Sequence, residues 1–152
     1  MARAIAISRD AVEAGDAAPF AAVVVKDRKI VGEGVNRVVD RCDPTSHGEV
    51  EAIRDACGRL GTWDLSGADL YTTCEPCEMC VAAMFWARIA RVFYANRLED
   101  AEAIGFDLKP LTALVCSRPD GRAIPHIPLM REEAHAVLTD WASSPGFNTF
   151  QS

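Results

Sequence analysis

The chain has 152 residues, 49% hydrophobic and 25% charged, which is the balance of an ordinary globular domain long enough to bury a core. Its net charge of −6 disfavours affinity built on many phosphate contacts, so nucleic acid is not expected as a partner. Its apolar runs, 81–87 the longest after the first residues, fall short of the roughly 20 residues that span a bilayer. The apolar start, Met1 to Ile7, meets Arg9, Asp10 and Glu13 too soon for a secretory leader. A single cytoplasmic domain over 1–152, away from membranes, is the expectation.

Residues 2–14 are predicted helical, with Ile5 and Val12 on one face and Gly15-Asp16 as the stop. Residues 20–26 are a valine-rich run expected as a buried strand. Asp27-Arg28 then turns the chain into a paired strand, 29–36, whose Gly32 and Gly34 mark a bulge or a close backbone approach. After a weakly patterned stretch with an Asp43-Pro44 turn, a helix is expected from His47 to about Leu60. Its apolar face would carry Val50, Ile53, Cys57 and Leu60, and Gly61 would end it. A strand over 70–73, a helix from Cys77 to about Ala87 and a strand over 91–95 follow.

A short helix over 98–105 and a loop or helical turn over 106–113 come next. A last strand is placed at either 114–116 or 124–129, around a turn at 118–121. A final helix over 131–141 precedes a loosely ordered tail, 143–152. A hairpin followed by alternating helices and strands implies an α/β chain with a mixed sheet and helices on its faces. In such sheets ligands sit beyond strand ends, where helix N-termini converge.

Two short motifs open the two middle helices: His47-Gly48-Glu49 and Pro76-Cys77-Glu78-Met79-Cys80. Cys77 and Cys80 are three apart and share a helix face. Pro76 suits a first helical turn, and the electropositive helix start favours thiolate. His47, Cys77 and Cys80 supply three soft or borderline ligands, the set expected of a catalytic zinc site, and three protein ligands leave a tetrahedral position for water. Glu49 is a carboxylate beside them that can move protons. A structural zinc site would want a fourth ligand, and a redox Cys-x-x-Cys would want a thioredoxin-like setting. Ser46-x-x-Glu49 also spells a capping box, a reading that yields to the neighbouring ligand set. Six cysteines, two of them ligands, fit a reducing compartment; Cys42, Cys57, Cys74 and Cys116 read as small buried or half-buried residues. His126 and His135 read as ordinary surface histidines. Val81, Met84 and Phe85 read as core.

The pattern H-x-E…P-C-x-x-C is that of the zinc nucleobase deaminases, and the chain resembles the cytidine deaminase superfamily. Within it, bacterial guanine deaminases are the nearest in pattern. The likeness runs through Pro19-Phe20-Ala21-Ala22, Asn36, Asp43-Pro44-Thr45, Cys74-Glu75-Pro76-Cys77, Phe85-Trp86-Ala87-Arg88 and Gly105-Phe106-Asp107. It covers roughly residues 10 to 107 and fades beyond. It implies a three-layer α/β/α fold around a mixed sheet of about five strands. It also implies Zn²⁺ as cofactor, Glu49 as the proton shuttle, and a small nucleobase-like substrate held by Asn36, Phe20, Gly48, Glu75, Trp86 and Asp107. A homodimer is implied too, with Trp141, Phe147 and Phe150 on a 131–152 segment that swaps between subunits and closes the site. Two departures stand out: Leu108 stands where guanine deaminases usually have an acidic residue, and Gly48 where alanine is usual. They keep cytosine, an oxidised pyrimidine, a triazine or a nucleoside as alternative substrates to guanine. A transfer-RNA adenosine deaminase and an inactive zinc-binding module are the more distant alternatives.

Overall fold

The hairpin that opens the sheet is made by two residues that rarely share left-handed backbone. Asp27 and Arg28, with φ of 51° and 63°, join β1 (Ala21–Lys26) to β2 (Lys29–Val35). Two consecutive positive φ values match the right-handed twist of the strands they connect. The computed structural model describes residues 1–15 and 17–147. These group into two compact units, one ending at Ala113 and the other beginning at Leu114.

In the first unit the strand order is β2-β1-β3-β4, with β3 at Asp69–Cys74 and β4 at Arg91–Asn96. β1 runs antiparallel to both β2 and β3, and β3 runs parallel to β4. The crossover between the parallel pair is α4 (Glu78–Trp86), as parallel strands require. The sheet is mixed and has four strands, one fewer than expected. The 114–116 segment lies in helix α6 (Lys109–Cys116). The 124–129 segment forms no strand because Pro125 and Pro128 remove the N–H groups that a ladder needs.

Strand alternation sends Ala22, Val24 and Leu70 to one face of the sheet, where they meet Ala52 and Ala56 of α3 (Gly48–Leu60) and Cys80 and Met84 of α4. The other face receives α1 (Ala2–Ala14), tied to β2 by the Arg3–Glu33 ion pair at 2.7 Å and ended by Gly15 at φ 73°. Burial on α3 departs from the expected stripe. The fully buried positions are the small ones, Ala52 and Ala56, while Val50, Ile53 and Cys57 are only partly buried and Leu60 is exposed. The reason is a close approach. A Cβ on Gly34 would lie 2.3 Å from the Ala52 nitrogen and the Gly48 oxygen, and one on Gly32 would lie 2.3 Å from the Ala52 oxygen. Helix backbone rests directly on strand backbone there, and only glycine and alanine fit between them. The bulge is on β2 as well, at Val31 beside Gly32, where Val24 pairs with Gly32 and Val25 with Ile30.

Further along, α5 (Leu98–Ala103) follows β4 and a short α2 (Val38–Arg41) precedes α3. The second unit holds a 3₁₀ turn at Pro119–Gly121 and α7 (Arg131–Ala142). Among the described residues, no helix is long and apolar enough to cross a membrane. Cys42 and Cys116 are exposed, unlike the buried or half-buried place expected of them. Val81 and Phe85 also point outward, and of the three α4 residues expected in the core only Met84 is buried.

Candidate active site

Both middle helices begin with a ligand residue as N-cap. His47 caps α3 and Cys77 caps α4, each in extended backbone and neither using its side chain to cap. Their imidazole and thiol are therefore free to face each other. Pro76 sits one residue ahead of the cap and not inside the first turn, because α4 starts at Glu78. His47 Nδ1 lies 3.6 Å from Cys77 Sγ and 3.5 Å from Cys80 Sγ, and the two sulfurs are 3.7 Å apart. A tetrahedral zinc with Zn–S of about 2.3 Å and Zn–N of about 2.05 Å would set S···S near ~3.8 Å and S···N near ~3.6 Å. The triangle fits that ion, and among the described residues it is the group of side chains that does.

The thiols are electrostatically prepared. The hydrogen bond with Cys80 draws the Cys77 thiol well below the usual thiol range against its burial, with His47 helping. The same hydrogen bond, together with burial, pushes the Cys80 thiol up. The hydrogen bond to Cys77 raises His47 despite its partial burial. The pair thus favours a thiolate at Cys77, and a bound dication would draw off the second proton as well.

Glu49, the second residue of α3, is buried beside this triangle. The Thr72 hydroxyl donates to its Oε1 at 3.3 Å and the Cys80 thiol to its Oε2 at 3.5 Å. Burial raises its carboxyl above the usual range, so the group can hold a proton as well as accept one. The capping box does not form. Ser46 donates instead to Glu51 Oε1 at 2.7 Å, which leaves Glu49 free. Glu51 is locked from the other side by Arg41 and, at 2.5 Å, by Arg54.

A cavity of about 230 Å³ opens over the triangle. Its polar and sulfur-bearing lining is His47, Glu49, Cys77, Asn36, Glu75 and Cys74. Asn36 Oδ1 accepts the Val38 N–H at 3.2 Å, which leaves its amide NH₂ as the donor. Glu75 Oε2 accepts the Leu98 N–H at 3.3 Å and so fastens the start of α5 to the cavity. The remaining lining is Phe20, Leu98, Ala101, Phe106 and Leu108. Phe20 and Phe106 meet edge to face at 5.3 Å between ring centres. A larger groove of about 430 Å³ runs between α1 and β2, but its lining of Arg3, Asp10, Glu33, Arg37 and Arg41 holds no metal-ligand cluster.

The structure thus gathers His47, Glu49, Cys77, Cys80, Asn36, Phe20 and Glu75 at one cavity. It does not bring three other expected substrate contacts there. Trp86 lies nine residues past Cys77, about 13 Å along the helix, and is 67% exposed. Asp107 is exposed and accepts the Lys109 N–H at 3.0 Å, at the start of α6. Gly48 lies under the cavity wall: a Cβ there would stand 2.5 Å from the Phe20 carbonyl oxygen. In the second unit, Trp141 and Phe147 stack edge to face at 5.2 Å, and Phe150 lies outside the described residues. Sequence reasoning missed Thr72, Leu98, Ala101 and Phe106 as site residues. Phe106 was within reach, inside the Gly105-Phe106-Asp107 stretch; the other three carry no chemical signature.

Comparison with known proteins agrees with this geometry. Residues 1–96 match the model of the cytidine and deoxycytidylate deaminase zinc-binding region. A guanine deaminase of Bacillus subtilis (strain 168) is 42% identical over 139 residues, covering 91% of this chain and 89% of that protein. A crystal structure of guanine deaminase from Bacillus subtilis superposes with a TM-score of 0.88 at 41% identity, over 93% of this chain and 90% of that one. A tRNA-specific adenosine deaminase of Agrobacterium fabrum is 47% identical, but over only 52% of each chain.

Proposed function

We propose that this chain, which belongs to the cytidine and deoxycytidylate deaminase zinc-binding family, catalyses hydrolytic deamination of a free nucleobase-like aminoheterocycle, with guanine to xanthine and ammonia as the leading reaction. The observation that carries this is the placement of buried Glu49 against the His47–Cys77–Cys80 triangle at the floor of a base-sized cavity. Ligand cavities for larger molecules run to about 300–1,000 Å³, so a volume of about 230 Å³ suits a bare heterocycle better than a nucleoside. Likeness to guanine deaminases over nine-tenths of the chain supports the base.

His47 Nδ1 and the Cys77 and Cys80 sulfurs would hold the zinc. When bound there, zinc makes water a nucleophile near neutral pH. Glu49 takes a proton from the attacking water and delivers it to the ring nitrogen beside the amine-bearing carbon. It then carries the second water proton to the departing amine. The C–N bond breaks, a C=O forms, and ammonia leaves. Thr72 steadies the carboxyl through its hydroxyl. Phe20 and Phe106 flank the ring, and the Asn36 NH₂ donates to an acceptor on its edge.

The reading extends to one deaminase domain over 1–152 working as a cytoplasmic homodimer, with the 131–152 segment carrying Trp141, Phe147 and Phe150 over the site. Free thiols at every described cysteine suit a reducing compartment. The outward Val81, Phe85 and Trp86 of α4 suit burial by a second subunit. Sedimentation of the intact chain tests the dimer, and a monomer at micromolar concentration removes it. Ammonia release from guanine by zinc-loaded protein tests the reaction. A transfer-RNA substrate, suggested by the half-length likeness to adenosine deaminases, would instead require tight, salt-dependent RNA binding.

A further inference from the structure

The metal triangle draws on two helices. Cys77 and Cys80 both belong to the start of α4, and helix geometry sets their separation. His47 comes from elsewhere, as N-cap of α3, and its imidazole is aimed by the backbone that carries it. That backbone emerges from the segment 37–46, whose two ends are closed by the Arg37 N–H donating to the Ser46 carbonyl at 2.8 Å. The hold on residues 46 and 47 therefore sets the third ligand against the other two.

Glu51 holds both. Its backbone N–H donates to the His47 carbonyl at 2.9 Å, and its Oε1 accepts the Ser46 hydroxyl at 2.7 Å. Ser46 is fully buried and Glu51 is 8% exposed. A carboxylate so placed keeps its charge only when it is paired. Arg41 of α2 satisfies Oε2, and Arg54, three residues further along α3, shares Oε1. Arg54 also donates to Thr45 Oγ1 at 3.2 Å. The stretch that delivers His47 is thus stitched to α3 through one carboxylate. Glu51 is neither in the triangle nor in the cavity lining.

We infer that Glu51 is a positioning residue of the metal site: through Ser46 it fixes the backbone that aims His47, and so sets zinc affinity without touching the ion. The inference rests on the zinc reading of the triangle and is independent of the substrate.

The test is the zinc affinity of metal-free protein, measured by competition with a chromophoric chelator, with the melting temperature of each metal-free variant recorded. Ser46→Ala and Glu51→Gln should each raise the zinc Kd by about tenfold. The double variant should raise it by less than the product of the two, because both break the same link. Ser46→Ala changes no charge, so its effect is one of placement. Arg41→Gln separates placement from field more sharply. It removes a positive charge, which by itself would tighten binding of a dication. A Kd raised by about threefold in this variant supports the inference, and an unchanged or lowered one overturns it.

Val23→Ala supplies the control for stability alone. Val23 is 1% exposed and lies on the α1 side of the sheet, away from the loop. Its loss should lower the melting temperature and leave the zinc Kd within about twofold. Zinc binding as tight in Ser46→Ala as in wild type overturns the inference, as does an equal weakening in Val23→Ala. Should Ser46→Ala and Glu51→Gln fail to fold, Arg41→Gln, altered at a half-exposed side chain, decides by itself. Wild type that takes up no zinc ends the zinc reading and this inference with it.

Discussion

The floor of the cavity is made where two helices start, whereas its outer wall is made by α5 and the turn that follows it. On the floor, His47 and Cys77 are both N-caps and Glu49 and Cys80 lie within the first turns after them. Their geometry is set by backbone close to each side chain. The wall is assembled from Leu98, Ala101, Phe106 and Leu108, with the Leu98 N–H fastened to Glu75. The titratable and metal-ligating side chains thus belong to the floor, and the wall adds mainly apolar contact. Changes to the floor should abolish turnover, while changes to the wall should redirect it.

The largest break in that comparison is Glu49→Gln. It should lower kcat by about 10²–10⁴-fold with zinc still bound, measured by metal analysis beside ammonia release. Unchanged turnover would sink the role of Glu49. Removing the metal, by Cys80→Ser or by chelation, should abolish activity and also lower the melting temperature, because a ligand bound only by the folded state stabilises it. An identical melting curve before and after chelation would contradict the link.

Gly34→Ala tests the seam beneath the floor. A Cβ placed 2.3 Å from Ala52 and Gly48 backbone should destabilise by about 1–3 kcal/mol, read from denaturant unfolding. Gly48→Ala joins the two regions, since its Cβ would press on Phe20. KM should rise while zinc content stays. Glu51 gives a pH test. Burial opposes its charge, but Ser46, Arg54 and Arg41 hold its carboxyl below the usual range. The folded carboxyl is the more acidic one, so its stabilisation is full above the unfolded value of about 4.3 and is lost as pH falls through and below it. Glu51→Gln should flatten that acid limb of the melting-temperature profile. The smallest effect belongs to Asp107→Asn. Its contacts go to Lys109, through the N–H and through charge, so KM should stay within about twofold, and a large KM change would return Asp107 to the substrate.

Much of the floor was legible in the residues. Metal-ligand chemistry admits few side chains, and helix geometry admits few spacings, so His47, Glu49, Cys77 and Cys80 announce themselves. The hairpin, the strand-helix alternation and the stops at Gly15 and Gly61 follow from the same local rules. Two prolines misled the expectation of a fifth strand, because apolar content argued for pairing that missing N–H groups forbid.

What tertiary structure alone decided is which ordinary residues stand near the chemistry. Hydrophobic periodicity placed Val50, Ile53, Cys57 and Leu60 on the buried face of α3, but backbone contact at Gly32 and Gly34 selects Ala52 and Ala56. Trp86 and Asp107 have the right chemistry for a base and stand elsewhere, while Thr72, Leu98 and Ala101 have none that signals a site and stand beside it. Local chemistry names a ligand set because its spacing is short. A pocket wall is a meeting of segments distant in sequence, and only packing determines which of their side chains arrive.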